Sequence, residues 1–228
     1  MSAPRVIQAT DAADLVPEVR RAVEAAVEPG DRIAVPTGRT PGPLYRQVRE
    51  DPAGRSLWGA LRYLQLDEYI DPPPGTVRFA ETLAADLLDP LAIPADDRGA
   101  ILAPGDPQEG PGLDRIVREA GALAVCLLGL GGTGHLAFNE PGDRTPGFHV
   151  VTLSPETVAA NLPSGTTAPV RALTIGIDQI LASRRVLLWV PQPEKQDLLD
   201  RVISGPVDPE LPATALLAHP DWTVFRTA

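Results

Sequence analysis

The chain has 228 residues, a formal net charge of −10 and a sequence pI near 4.7. That acidity argues against nucleic-acid binding, which needs a basic face to neutralise phosphates, but leaves a small anionic ligand open, because a few backbone amides and one cation can hold a phosphate locally. Hydrophobic residues make up 43% and aromatics only 4%, which suits an ordered globular chain with a core of Leu, Val, Ile and Ala.

No segment approaches the ~18 continuous apolar residues of a membrane span, and Met1 to Asp14 carries no apolar run of signal-peptide kind. The single cysteine, Cys126, allows no intrachain disulfide and reads as a buried thiol. A cytoplasmic location is expected, and homo-oligomerisation is left open. Of the 20 basic residues only one is Lys, at position 195, where an ammonium can do what a guanidinium cannot.

In chain order, Asp11 is placed to cap a helix from Ala12 to about Val27, with Val16, Val19, Val23 and Val27 on one stripe. Arg32–Val35 reads as a strand, Gly42–Arg49 as the helix after it, Leu61–Leu66 as a strand stopping at Asp67, and Phe79–Leu88 as a helix. Ala122–Leu130 is nearly continuous Leu, Val and Ala, as suits a parallel strand buried on both faces. Further strands are expected at Val150–Leu153, Leu173–Ile175, Val186–Val190 and Thr223–Phe225, with helices at Ile177–Ala182 and Glu194–Ile203. The alternation predicts a single α/β domain spanning 1–228, with a mostly parallel, Rossmann-like sheet and helices on both faces. The Pro/Gly-rich pieces 71–75, 104–112 and 141–147 are expected as loops.

Ligands of open α/β sheets bind outside the carboxyl ends of the strands, which directs attention to three segments. Pro36-Thr37-Gly38-Arg39-Thr40-Pro41 follows a strand and opens a helix; small residues there let backbone amides approach an anion. Leu66-Asp67-Glu68-Tyr69 sets two acids at a strand end, one to face the crevice as base or acceptor and the alternative being a solvated turn. The third runs Gly129-Leu130-Gly131-Gly132-Thr133-Gly134-His135-Leu136-Ala137-Phe138-Asn139-Glu140-Pro141. Its glycines, Gly132 among them, permit close backbone approach, and a His near a carboxylate can be held in one tautomer as a proton shuttle. Its spacing is not that of a dinucleotide-binding loop.

Taken together these segments resemble the glucosamine-6-phosphate deaminases (isomerising), within a wider group that includes 6-phosphogluconolactonases and ribose-5-phosphate isomerases. That family carries a Pro-Thr-Gly-Gly-Thr-Pro loop, a (Met/Leu)-Asp-Glu-Tyr motif and a Gly-x-Gly-x-(Asp/Asn)-Gly-His-(Ile/Leu)-(Ala/Gly)-Phe-Asn-Glu-Pro motif, matched here in order and spacing at Pro36–Pro41, Leu66–Tyr69 and Gly129–Pro141. The resemblance implies an amino-sugar or sugar-phosphate substrate and no cofactor or metal. It assigns catalytic roles to Asp67 as the base moving a proton between C2 and C1, to His135 as the group moving the ring-oxygen proton, and to Glu140 as the residue that orients and tunes it. Thr133, beside that His, is the fourth catalytic candidate. Thr37, Gly38, Thr40 and Lys195 would hold the phosphate, and Arg39, Glu68 and Gly132 are further substrate-binding candidates.

Four departures point to a divergent member. Thr133 replaces the family Asp or Asn; Arg39 replaces the second Gly of the anion loop; the segment after Glu140 is short; and Asn161-Leu162-Pro163 stands where the family has a phosphate-binding Arg. The proton-transfer residues persist, so the expected reaction is deamination and isomerisation of a 2-amino-2-deoxy aldose, phosphorylated or not. The alternatives are a plain sugar isomerase or lactone hydrolase on the same site, and a sugar-phosphate-binding protein without turnover.

Overall fold

The computed structural model describes residues 3–166 and 169–228. Its strands are β1 (Arg5–Ala9), β2 (Arg32–Val35), β3 (Arg62–Gln65), β4 (Asp67–Tyr69), β5 (Arg98–Gly99), β6 (Val125–Leu128), β7 (His149–Thr152), β8 (Arg171–Thr174), β9 (Arg185–Val190) and β10 (Trp222–Thr227). Its helices are α1 (Ala12–Glu24), α2 (Gly42–Glu50), α3 (Pro52–Trp58), α4 (Phe79–Leu83, prolonged by a π turn over Ala84–Leu88), α5 (Glu109–Glu119), α6 (Pro155–Asn161), α7 (Ile177–Leu181) and α8 (Gln196–Ser204).

Seven strands form one sheet in the order β1-β10-β9-β6-β2-β3-β5, and every neighbouring pair is parallel. Period-two alternation splits its side chains between two layers. Ala34, Leu64, Cys126, Leu128, Val186 and Leu188 face Leu113 of α5, Ile180 of α7 and Leu199 of α8. Ile33, Val35, Tyr63, Val125, Leu127 and Leu187 face Leu15 and Val19 of α1, Leu44 and Tyr45 of α2, and Trp58 of α3. This is the doubly covered parallel sheet that the alternation of elements predicts. Cys126 is a core thiol, as expected, and burial pushes its pKa up.

The remaining strands depart from the expectation. β4, β8 and β7 make a separate antiparallel sheet, with Asp67 opposite Thr174 and Val150 opposite Leu173. It carries its own apolar cluster of Tyr69, Phe138, Leu153, Val158 and Ala172. Asp67–Tyr69 is therefore strand and not a turn. Asp11 stands at the N-cap of α1 without a side-chain capping bond. β1, α3, α5 and α6 lie in segments assigned no element from the sequence, and α5 begins inside the expected 104–112 loop.

The topology positions the site. Strand order turns back on itself where β2 meets β6, the point at which ligand crevices open in such sheets. The loops leaving these two neighbours, 36–41 and 129–141, therefore emerge side by side.

Candidate active site

Residues 131–135 close a tight turn: the Gly131 amide donates to the His135 carbonyl at 3.0 Å, and the Gly134 amide to the Gly131 carbonyl at 3.0 Å. The His135 ring folds back over Gly131, where a Cβ would stand 2.0 Å from Nε2. Only glycine leaves room for that ring. Gly134 has φ of +79°, and a Cβ there would meet Leu211 Cδ1 at 2.1 Å, so both the backbone conformation and the packing require its lack of a side chain. Gly132 is exposed, with open space around its Cβ position.

His135 is 7% exposed. Its Nδ1 meets the Thr133 hydroxyl at 2.9 Å and the Thr157 hydroxyl, from α6, at 3.4 Å. Burial lowers its pKa, the Glu140 charge acts to raise it and the Lys195 ammonium to lower it; the net shift is downward, which favours a neutral ring near pH 7. Among the described residues no hydrogen bond joins Glu140 to the ring. Glu140 Oε1 accepts the Ser154 amide at 3.2 Å, while Oε2 is buried with no partner among the described residues. Its influence on His135 is thus exerted through charge.

Asp67 and the histidine loop are brought to one edge through Thr174. Thr174 pairs with Asp67 across the small sheet, and its hydroxyl accepts the Phe138 amide at 3.0 Å. Asn139 Nδ2 donates to the carbonyls of Leu136 and Ile175, both at 2.8 Å, and pins the same loop to the end of β8. Burial, with the adjacent Glu68 charge, pushes the Asp67 carboxyl up to about 7. A carboxyl with that value exchanges protons efficiently near neutrality.

Glu68 corrects the expectation of a second substrate-facing acid. Successive strand residues point to opposite faces, and Glu68 is fully buried. Oε1 accepts the amides of Tyr69 and Phe79, Oε2 accepts the amide of Ala80, and Gln65 and Arg78 lie beside it. Glu68 holds the start of α4 and sets the charge that Asp67 feels.

In the anion loop Gly38 has φ of +101° with open space at its Cβ position. The Thr40 hydroxyl accepts the Gln192 amide at 2.8 Å, which joins this loop to the turn after β9. Thr37 is half-buried; Arg39 is exposed and makes no ion pair among the described residues. Lys195 donates to the Leu130 carbonyl at 2.5 Å, and burial lowers its pKa. One of its three protons is thereby committed to the histidine loop. Pro163 lines a cavity of about 640 Å³ with Val158 and Leu162, and no charged side chain lines that cavity among the described residues. The short segment after Glu140 is fastened internally: Asp143 accepts the Thr145 amide and pairs with His149 Nε2 at 2.7 Å, while His149 Nδ1 donates to the Gly147 carbonyl at 2.9 Å. Burial acts to raise the Asp143 pKa, but these bonds hold it below the usual carboxylate range.

Ser154 and Thr157 are site residues that the sequence reading missed. The run Ser154-Pro155-Glu156 was the available signal, since Ser at an N-cap followed by Pro at N1 announces a helix start. Among the described residues no three His, Cys, Asp or Glu side chains converge as a metal-ligand set, and no helix is long and apolar enough to cross a membrane.

Comparison with known proteins bears on the family and the fold. Residues 7–225 match the family model described as glucosamine-6-phosphate isomerases/6-phosphogluconolactonase. A glucosamine-6-phosphate deaminase of Lachnoclostridium phytofermentans is 31% identical over 97% of this chain and 98% of its own. A putative deaminase, AgaI, of Escherichia coli is 32% identical over 86% of this chain and 80% of its own. Among solved structures, a monomeric glucosamine-6-phosphate deaminase superposes with a TM-score of 0.87 at 27% identity, covering 98% of this chain and 97% of that one. A 6-phosphogluconolactonase from Trypanosoma cruzi reaches 0.77 at 21% identity, covering 100% and 96%, a likeness of fold.

Proposed function

Since the chain belongs to the glucosamine-6-phosphate isomerase/6-phosphogluconolactonase family and is an enzyme of its deaminase/isomerase type, we propose that it converts a 2-amino-2-deoxy aldose, such as glucosamine 6-phosphate, to a ketose and ammonia. The observation that supports this best is that Thr174 ties Asp67, its carboxyl pushed up to about 7, to the same edge as the loop carrying the buried His135. His135 moves the proton of the ring oxygen as the sugar opens to the aldehyde. Asp67 then takes the C2 proton, giving an enol-amine, and returns it to C1. The resulting C2 imine adds water and loses ammonia, leaving the ketose. Thr37, Gly38 and Thr40 at the start of α2, with Arg39 and Lys195, bind the far end of the sugar. Gly132 lets the substrate approach the histidine loop, and Glu140 tunes the His135 ring through its charge.

The cations here are rearranged from the family pattern, with Arg39 added and none at Pro163, and the sugar's far end is the feature they bear upon. The test is a panel of amino sugars with and without a 6-phosphate, assayed for ammonia and ketose together, with exchange of the C2 hydrogen followed in heavy water. The expected result is equimolar ammonia and ketose, with exchange abolished in Asp67→Asn. Ketose without ammonia would identify a plain isomerase, and turnover of a lactone alone would identify a hydrolase; either would overturn the proposal.

A further inference from the structure

The hydrogen bonds on the back of His135 differ from those a carboxylate would make. Two hydroxyls reach Nδ1, Thr133 at 2.9 Å and Thr157 at 3.4 Å. Thr157 lies in the first turn of α6, whose N-cap Ser154 is tied to it twice: the Ser154 hydroxyl accepts the Thr157 amide at 3.2 Å and donates to the Thr157 hydroxyl oxygen at 3.0 Å. The Ser154 amide is held by Glu140. Thr157 is 2% exposed, so its hydroxyl proton must find a partner within the protein. With its oxygen already accepting from Ser154, the acceptor within reach is His135 Nδ1. A nitrogen that accepts carries no proton, so the proton of the neutral ring sits on the other one.

We propose that Ser154 and Thr157, together with Thr133, are positioning residues that hold neutral His135 as the Nε2–H tautomer, the reverse of what a carboxylate on Nδ1 would impose. The inference rests on the reading of His135 as the group that opens the sugar ring, and it assigns the nitrogen that makes the transfer. As the bond from C1 to the ring oxygen breaks and the C1 carbonyl forms, the ring oxygen takes the Nε2 proton and the C1 hydroxyl gives its own to the same nitrogen in one concerted exchange, so the ring remains a neutral imidazole. α6 thereby sets the protonation pattern of a residue on the β6 loop.

The full chain labelled with ¹⁵N-histidine tests this by long-range proton–nitrogen correlation above the ring's titration. The chain has three His, and His135→Gln assigns the relevant signal. A pyrrole-like Nε2 and a pyridine-like Nδ1 are expected in the wild type. Thr157→Val should mix the tautomers and lower kcat about tenfold with little change in KM, Thr157→Ser should restore both, and Thr133→Asp should move the proton to Nδ1. A wild-type proton on Nδ1, or an unchanged tautomer in Thr157→Val, overturns the proposal, and the wild-type spectrum decides even if a variant fails to fold. The spectrum needs no substrate, so a failure of the deaminase reading shows in the turnover assay and not here.

Discussion

Asp67 carries opposing consequences for activity and stability. Its carboxyl sits near 7 against an ordinary value of 3.8, with burial the larger cause and the Glu68 charge the second. Only the ionised form takes a proton from carbon, so kcat/KM should fall about tenfold per pH unit below 7. The stability sign is the reverse of the usual carboxylate case. Between 3.8 and 7 the folded chain keeps a proton that the unfolded chain releases, so stability drops as pH rises through that window and stays lower above it. Asp67→Asn removes the ionisation, and it should therefore stabilise the protein at pH 8. The gain is about 1–2 kcal/mol, reduced from the full linkage value because the carboxylate is partly open to solvent. The gain should disappear by pH 3.5. Urea melts of both proteins across this range check it, and a gap that does not vary with pH would refute the assignment. Glu68 bears on the same group from the protein side. Glu68→Gln removes the neighbouring charge and should shift the acid limb of the pH–rate profile to lower pH. Because the side chain also accepts three backbone amides, the same change should lower the melting temperature, a combination not expected of a substrate ligand.

Elements with their own periodicity were legible in the sequence, and elements defined by their partners were not. β6 was the easiest: Val125–Leu128 is buried at all four positions, and a strand covered on both faces must be apolar throughout. β1 escaped because it is an edge strand, mostly exposed, without a clean alternation. α5 escaped because Gly110, Pro111 and Gly112 fill its first turn and read as loop. The small antiparallel sheet escaped because short apolar runs name no partner, and this bears on Glu68: beyond a strand end the second acid stays available to substrate, but within β4 it faces away from Asp67 and is buried. The histidine loop was legible because its glycines are tied to a geometric demand, which gives a further expectation. At Gly131 the φ is not positive, so the backbone accepts alanine, but the new Cβ would stand 2.0 Å from His135 Nε2. Gly131→Ala should therefore keep its circular dichroism spectrum while losing about 10²-fold or more in kcat, because the imidazole must turn away from the reacting atoms. Gly132→Ala, with nothing within 4 Å of its Cβ position, should leave the melting temperature unchanged. Full activity in Gly131→Ala would place the working histidine in another rotamer.

At the scale of the molecule, one parallel sheet separates two apolar layers, and the chemistry lies at the ends of strands and not within either layer. Leu15 of α1 is fully buried on one side and Ile180 of α7 on the other. Truncating either leaves a cavity in a packed core, so Leu15→Ala and Ile180→Ala should each cost about 2–5 kcal/mol. For a chain of 228 residues this lowers the melting temperature by roughly 4–20 °C. Two layers packed at about 10 Å on either side of a sheet place these residues well beyond the ~7–10 Å within which substitutions couple. The double variant should thus lose the sum of the two single losses to within about 0.5 kcal/mol. It should nevertheless unfold in one transition, because both layers pack on the same seven strands and neither can be released while the sheet stands. Denaturant melts followed by tryptophan fluorescence and by far-ultraviolet circular dichroism distinguish these outcomes. Trp58 and Trp189 report the layer containing Leu15, and Trp222 reports the other. Two separated transitions, or a double variant far from additive, would mean that the layers are not joined through the sheet as the structure requires.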